Sequence, residues 1–312
     1  MSADSTLWWG LAWLLLTALV FSLPLWPAFA ELRRRRDAQP IAIDNEDSGE
    51  TEYRIKLLAP RLPLLRELPG APDWQVGGGH VLPGGTHLAA ARSDGPVTLD
   101  GGASADVLIT EQTLTLGAGS GVAQLAHAAR IVSRGPVHLD GRTSADTLVV
   151  LAAGSHVFRV AAPCIVTAPL TAAPSPAAAL PAAPLSAVPR RHEGDFRLEA
   201  GQRLSDNLVV TGNVTLGEGA ELRGHVKAHG SIELARGARV TGALFAKRDI
   251  RCAGDNCVLG PISAVKTVVL GAGTQAGSPS VPCSVSGWQI ELGPAVAVFG
   301  TLASVDGCEV LA

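Results

Sequence analysis

From Leu198 to Ala276 every sixth residue is apolar: Leu198, Leu204, Val210, Leu216, Leu222, Ala228, Leu234, Val240, Ala246, Cys252, Val258, Ala264, Leu270 and Ala276. A period of six matches neither the 3.6 of a helix nor the alternation of one long strand. It fits three short strands per turn of a coil, each sending an aliphatic side chain inward and bending at a glycine or other small residue. A coarser period, three of these sixes long, runs with it: Phe196, Val214, Ile232, Ile250 and Val268 form one column, and Leu198, Leu216, Leu234, Cys252 and Leu270 a second. Gly201, Gly219, Gly237 and Gly273 form a third, broken only at Asp255. A further copy restarts at Ile290 after an insertion containing Pro279 and Pro282. The pattern predicts an all-β fold, a parallel β-helix or solenoid, with coils stacked about 4.8 Å apart.

The rest of the chain carries a weaker form of the same signal. "ADVLITEQTLTLGAGS" (residues 105–120) matches "SDNLVVTGNVTLGEGA" (205–220) at an offset of 100, sharing Asp106/Asp206, Leu108/Leu208, Leu116/Leu216 and Gly119/Gly219. Within the first half, "GPVTLDGGASADVLI" from Gly95 is echoed by "GPVHLDGRTSADTLV" from Gly135. Between the halves, residues 162–191 form an Ala/Pro tract with seven prolines, which reads as an extended linker. The expected organisation is an anchor over 1–30, a juxtamembrane linker over 31–70, a degenerate β-solenoid over 71–161, the Ala/Pro linker over 162–191 and a second β-helix over 192–312. Aromatic residues are only 4% of the chain, so these cores are expected to be aliphatic.

"TLWWGLAWLLLTALVFSLPLWPAFA" (6–30) contains no charge and is long enough to span a bilayer as one N-terminal transmembrane helix. Arg33, Arg34, Arg35 and Arg36 follow at once. By the positive-inside rule they place the C-terminal body in the cytoplasm, as a single-pass protein of the inner membrane, and they are candidates for contact with anionic lipid headgroups. The competing reading is a cleaved signal peptide ending at Ala28-Phe29-Ala30, which lacks a basic leading region.

A net charge of −3 and the lack of a basic stripe outside those arginines argue against nucleic acid as a partner. The five cysteines (Cys164, Cys252, Cys257, Cys283, Cys308) form no CxxC pair and read as reduced thiols, the rival being a Cys252–Cys257 disulfide. No phosphate-binding loop, nucleophile elbow or calcium-binding nonapeptide is present. No catalytic residue, cofactor or metal is therefore expected. Two enzymatic readings compete with that expectation. A hexapeptide-repeat acyltransferase would use His225 or His229 as base. An exported β-helix acting on or binding polysaccharide would use carboxylates such as Asp100, Asp106, Asp140 and Asp146, whose even spacing also suits turn chemistry.

Residues 205–268 resemble the bactofilins, the polymer-forming cytoskeletal proteins of bacteria. The resemblance rests on "DNLVVTGNVTLG" (206–217) and on the rungs "LRGHVKA" (222–228), "VTGALFA" (240–246) and "VLGPISA" (258–264), each apolar-x-Gly-x-apolar-x-Ala. It implies a β-helix that associates end to end without nucleotide, sits at the membrane and positions cell-wall or polarity proteins. The partners are then further copies of the chain and the membrane. Because the repeat runs to the end of the sequence given, the backbone edges of the outer coils are expected to be open. Phe196 and Leu198 at one end, and Phe299, Leu302 and Val310 at the other, are the candidate assembly contacts.

Overall fold

The computed structural model describes residues 3–23, 53–69, 79–169 and 189–312. They fall into two compact units, Met1–Glu50 and Thr51–Ala312.

In the first unit, α1 (Ala3–Ser22) is a helix with exposed apolar side chains, among them Trp8, Trp9, Trp13, Leu15 and Phe21. It stops just short of Pro24, whose ring disfavours a helical conformation in the residue before it. Among the described residues no helix is long and apolar enough to cross a membrane. The span expected within 6–30 is therefore not borne out. Its final part, 24–30, and Arg33, Arg34, Arg35 and Arg36 lie outside the described residues.

The second unit is an all-β solenoid of about 12 turns, whose 25 strands among the described residues belong to one continuous sheet. In its C-terminal half the columns of the sequence become hydrogen-bonded neighbours. β10 (Phe196–Leu198) pairs in parallel with β13 (Val214–Leu216), placing Phe196 opposite Val214 and Leu198 opposite Leu216. The ladder continues through β16 (Ile232–Leu234), β19 (Ile250–Cys252) and β22 (Thr267–Leu270) in the same register. After the proline-containing insertion it resumes in β24 (Cys283–Leu292), where Ile290 stands opposite Val268.

The N-terminal half uses a slightly tighter coil. β1 (His80–Leu82), β3 (Val97–Leu99) and β5 (Thr113–Leu116) stack with His80 opposite Val97 and Val97 opposite Leu114, so each coil is shorter by a single residue than the one from Phe196 to Val214. Three longer strands follow: β6 (Gly121–Ser133), β7 (His138–Leu151) and β8 (His156–Thr167). β8 therefore uses residues that the sequence assigned to the linker. Pro163 is accommodated because it falls in a register irregularity, where no ladder hydrogen bond is required of it.

The inward positions of both halves form one aliphatic core of Leu, Val, Ile and Ala, from Leu82 and Leu99 through Leu216 and Leu234 to Leu302 and Val310. The five cysteines are free thiols.

Candidate assembly interface at the solenoid ends

The two halves meet tail to tail. β25 (Ala297–Val310), the last strand of the C-terminal half, pairs antiparallel with β8, the last strand of the N-terminal half. Opposed residues are Val298 and Ile165, Leu302 and Val160, Cys308 and Val157, and Glu309 and His156. Among the described residues all other pairings between strands of the solenoid are parallel, so this seam is where the winding reverses direction. Each half would otherwise end in a row of unpaired amides and carbonyls, and here each satisfies the other.

Side chains and backbone both close the joint. The Thr167 hydroxyl donates to the Gly293 carbonyl at 2.7 Å and accepts from the Val296 amide at 2.9 Å, and the Ser304 hydroxyl donates to the Phe158 carbonyl at 3.0 Å. The Val310 amide donates to the Ser155 carbonyl at 3.0 Å, and the Gly154 amide to the Val310 carbonyl at 2.7 Å. Val150, Val166, Ala297 and Phe299 form a separate apolar cluster beside the main core. Burial, followed by the charge of Glu309, pushes the Cys308 thiol up to about 12.

The predicted contacts Leu302 and Val310 thus lie in the core at this seam, and Phe299 lies in the flanking cluster. Their neighbours come from the same chain.

At the outer end of the N-terminal half, part of the first coil is covered. Leu64 forms a parallel bridge with Arg92 of β2 (His87–Ser93), and the Arg92 amide donates to the Pro63 carbonyl at 3.1 Å. Leu65 is buried in the core, with Leu68 packed against it. The short helix α2 (Tyr53–Leu58) places Ile55 against Ile109 and Leu125 on the flank. Sequence reading missed this cover because "LLAPRLPLLRELP" has no helical or strand period.

The outer end of the C-terminal half differs. Its first coil comprises β9 (Arg190–His192), β10 and β11 (Arg203–Ser205), each paired on one side only among the described residues. Phe196 and Leu204 are half-buried there, whereas Val214 and Leu222, one coil inward, are fully buried. Arg190, Arg191, Arg197 and Arg203 line this edge. Arg197 pairs with Glu199 and Arg203 with Glu221, both at 3.1 Å.

The enzymatic candidates sit elsewhere. The His225 Nδ1 accepts from the Ala243 amide at 3.0 Å and its own amide donates to Asn207 Oδ1, so His225 links neighbouring coils; His229 is exposed. His127 Nδ1 is 2.9 Å from Ser144 Oγ, and its Nε2 is 3.7 Å from Asp146, beside a cavity of about 290 Å³. That is the residue set of a nucleophilic triad, but 3.7 Å is too long for the carboxylate to orient the ring by a hydrogen bond. The set recurs one echo earlier as His87, Ser104 and Asp106, at 3.0 and 3.8 Å, with His87 well exposed. The repetition, once beside a cavity and once on the exposed surface, marks a polar ladder between coils.

The class these features define is a β-solenoid with one end joint closed within the chain. No family model, curated protein or solved structure matches the sequence or the fold.

Proposed function

We propose that the chain is a non-enzymatic scaffold of the bactofilin kind, anchored at the membrane by its N-terminal segment and assembled by pairing of solenoid ends. The observation that carries this reading is the seam itself. Two solenoids of related sequence join through their terminal strands with a continuous core, so coil ends of this repeat are competent to pair. The edge of β9, β10 and β11, unpaired on its outer side among the described residues, then receives a second copy. Because the far end of the rod is partly covered by Leu64, Leu65 and Leu68, association through the open edge closes at two copies. Longer polymers require that cover to leave.

Membrane attachment is supported by the exposed apolar side chains of α1 and by the arginines that follow the apolar segment, which favour a cytoplasmic body. The rod then presents its flanks to cell-envelope factors.

Arg197 and Arg203 are already paired with Glu199 and Glu221, whereas Arg190 and Arg191 of β9 have no ion pair among the described residues; where two such edges meet these two repel their counterparts, so pairing strengthens as salt screens them. Sedimentation velocity of the full chain in detergent, over a concentration series at about 50 and 500 mM salt, tests the proposal. A two-copy species that grows with protein and with salt, and is lost in Leu204→Glu, is expected. A single copy under every condition contradicts the reading, and a discrete trimer with thioester-dependent acyl transfer favours the acyltransferase.

A further inference from the structure

We propose that the outer face of the seam is a binding site for a divalent transition-metal ion of the zinc type, held by His138, Asp140 and His156. His138 in β7 and His156 in β8 are register partners on adjacent parallel strands, so their side chains leave the same face of the sheet. Leu139 points into the core, and Asp140 therefore emerges beside His138. One ligand atom from each of the three lies within 4.8 Å of the others. Two imidazoles and one carboxylate form a donor set suited to Zn²⁺ and its first-row neighbours, and unlike the oxygen cages that Mg²⁺ and Ca²⁺ prefer.

The ring of His156 is held in place. It meets Phe158 edge-on, with centroids 5.1 Å apart, and it lies against the backbone of Gly307 in β25, where any Cβ would collide with Nε2. His87, His127 and His225 each engage a polar neighbour through a ring nitrogen. Among the described residues, the rings of His138 and His156 contact each other and Phe158 and make no hydrogen bond, so nothing competes for their nitrogens except the Gly307 backbone packed against His156 Nε2.

The three ligands leave a fourth position, and the seam brings a carboxylate near it without the carboxylate joining the group as it stands. Glu309 of β25 stands directly opposite His156, and Glu291 follows it in the same column. Opposed residues of an antiparallel pair have Cβ atoms about 5 Å apart on one face, within reach of a rotated glutamate. The ion would then link β7 and β8 of one half to β25 of the other.

Zinc titration of the full chain in detergent, by calorimetry, tests this. One Zn²⁺ per chain is expected, with affinity at least tenfold weaker in His138→Ala/His156→Ala and in Asp140→Asn, and a few-fold weaker in Glu309→Gln. Zinc should slow amide exchange in 154–160 and 305–310 in the wild type but not in Asp140→Asn, an exposed substitution that keeps the fold. No saturable binding overturns the proposal. So does binding unchanged in the double variant, which would move the ion to another group such as the half-buried Cys164.

Discussion

At Asp255 the backbone turns with φ 50°, in the left-handed region that the column Gly201, Gly219, Gly237 and Gly273 also occupies. The interruption visible in the sequence is thus conservative in conformation. A short acid tolerates this region better than most side chains do, and its carboxylate pairs with Arg236 at 2.6 Å. Asp255→Ala keeps a Cβ in the left-handed turn and loses the polar compensation, so it should cost about 1 kcal/mol. Asp255→Gly removes the steric conflict and gives up only an exposed ion pair worth at most about 1 kcal/mol. Thermal midpoints should fall for the alanine variant and stay near wild type for the glycine variant. If both fell equally, the ion pair and not the turn would govern the position. The histidines were the least legible residues. His138 and Asp140 are close neighbours in sequence, but His156 enters their group only through the full-coil step between β7 and β8, a spacing foreign to the usual metal motifs.

Among the elements, the C-terminal half was legible nearly strand by strand, because a constant coil length places Leu198, Leu216, Leu234, Cys252 and Leu270 one above another. In the N-terminal half the only visible echo, from Gly95 to Gly135, is out of phase with the coil. It amounts to two full coils and one further strand-plus-turn, so Val97 and its echo Val137 occupy different sides of the coil. The seam left no trace in any period. Antiparallel pairing between β8 and β25 joins segments far apart in sequence, and the prolines around Pro163 argued for a linker where a strand continues. Its polar closure is concentrated at Thr167, which is 1% exposed and makes two bonds through one hydroxyl. Thr167→Val preserves shape and strands the Gly293 carbonyl and the Val296 amide. The expected loss is about 1–3 kcal/mol in a denaturant melt followed by circular dichroism. An unchanged midpoint would show that the joint does not need this side chain.

At the scale of the whole molecule, the seam fixes where β8 ends relative to the start of β9. β8 ends at the joint and β9 begins at the far end of the C-terminal half, a distance of about six coil spacings, or roughly 29 Å. A chain as long as 170–188 can extend up to about 65 Å, so its length suffices for that distance. Fold class and the existence of two related solenoids were readable from sequence. Their union into one rod, which fills in cis the end expected to recruit another copy, was not, because a repeat pattern encodes stacking within a solenoid and says nothing of what meets its last coil. The measurement that tests this union most directly is amide hydrogen exchange of the full chain at a concentration where sedimentation finds single copies. The account predicts that β25 and β8, 297–310 and 156–167, exchange among the slowest segments, while β9 to β11, 190–205, exchange among the fastest. Rapid exchange in 297–310, matching that of the open coil, would contradict it.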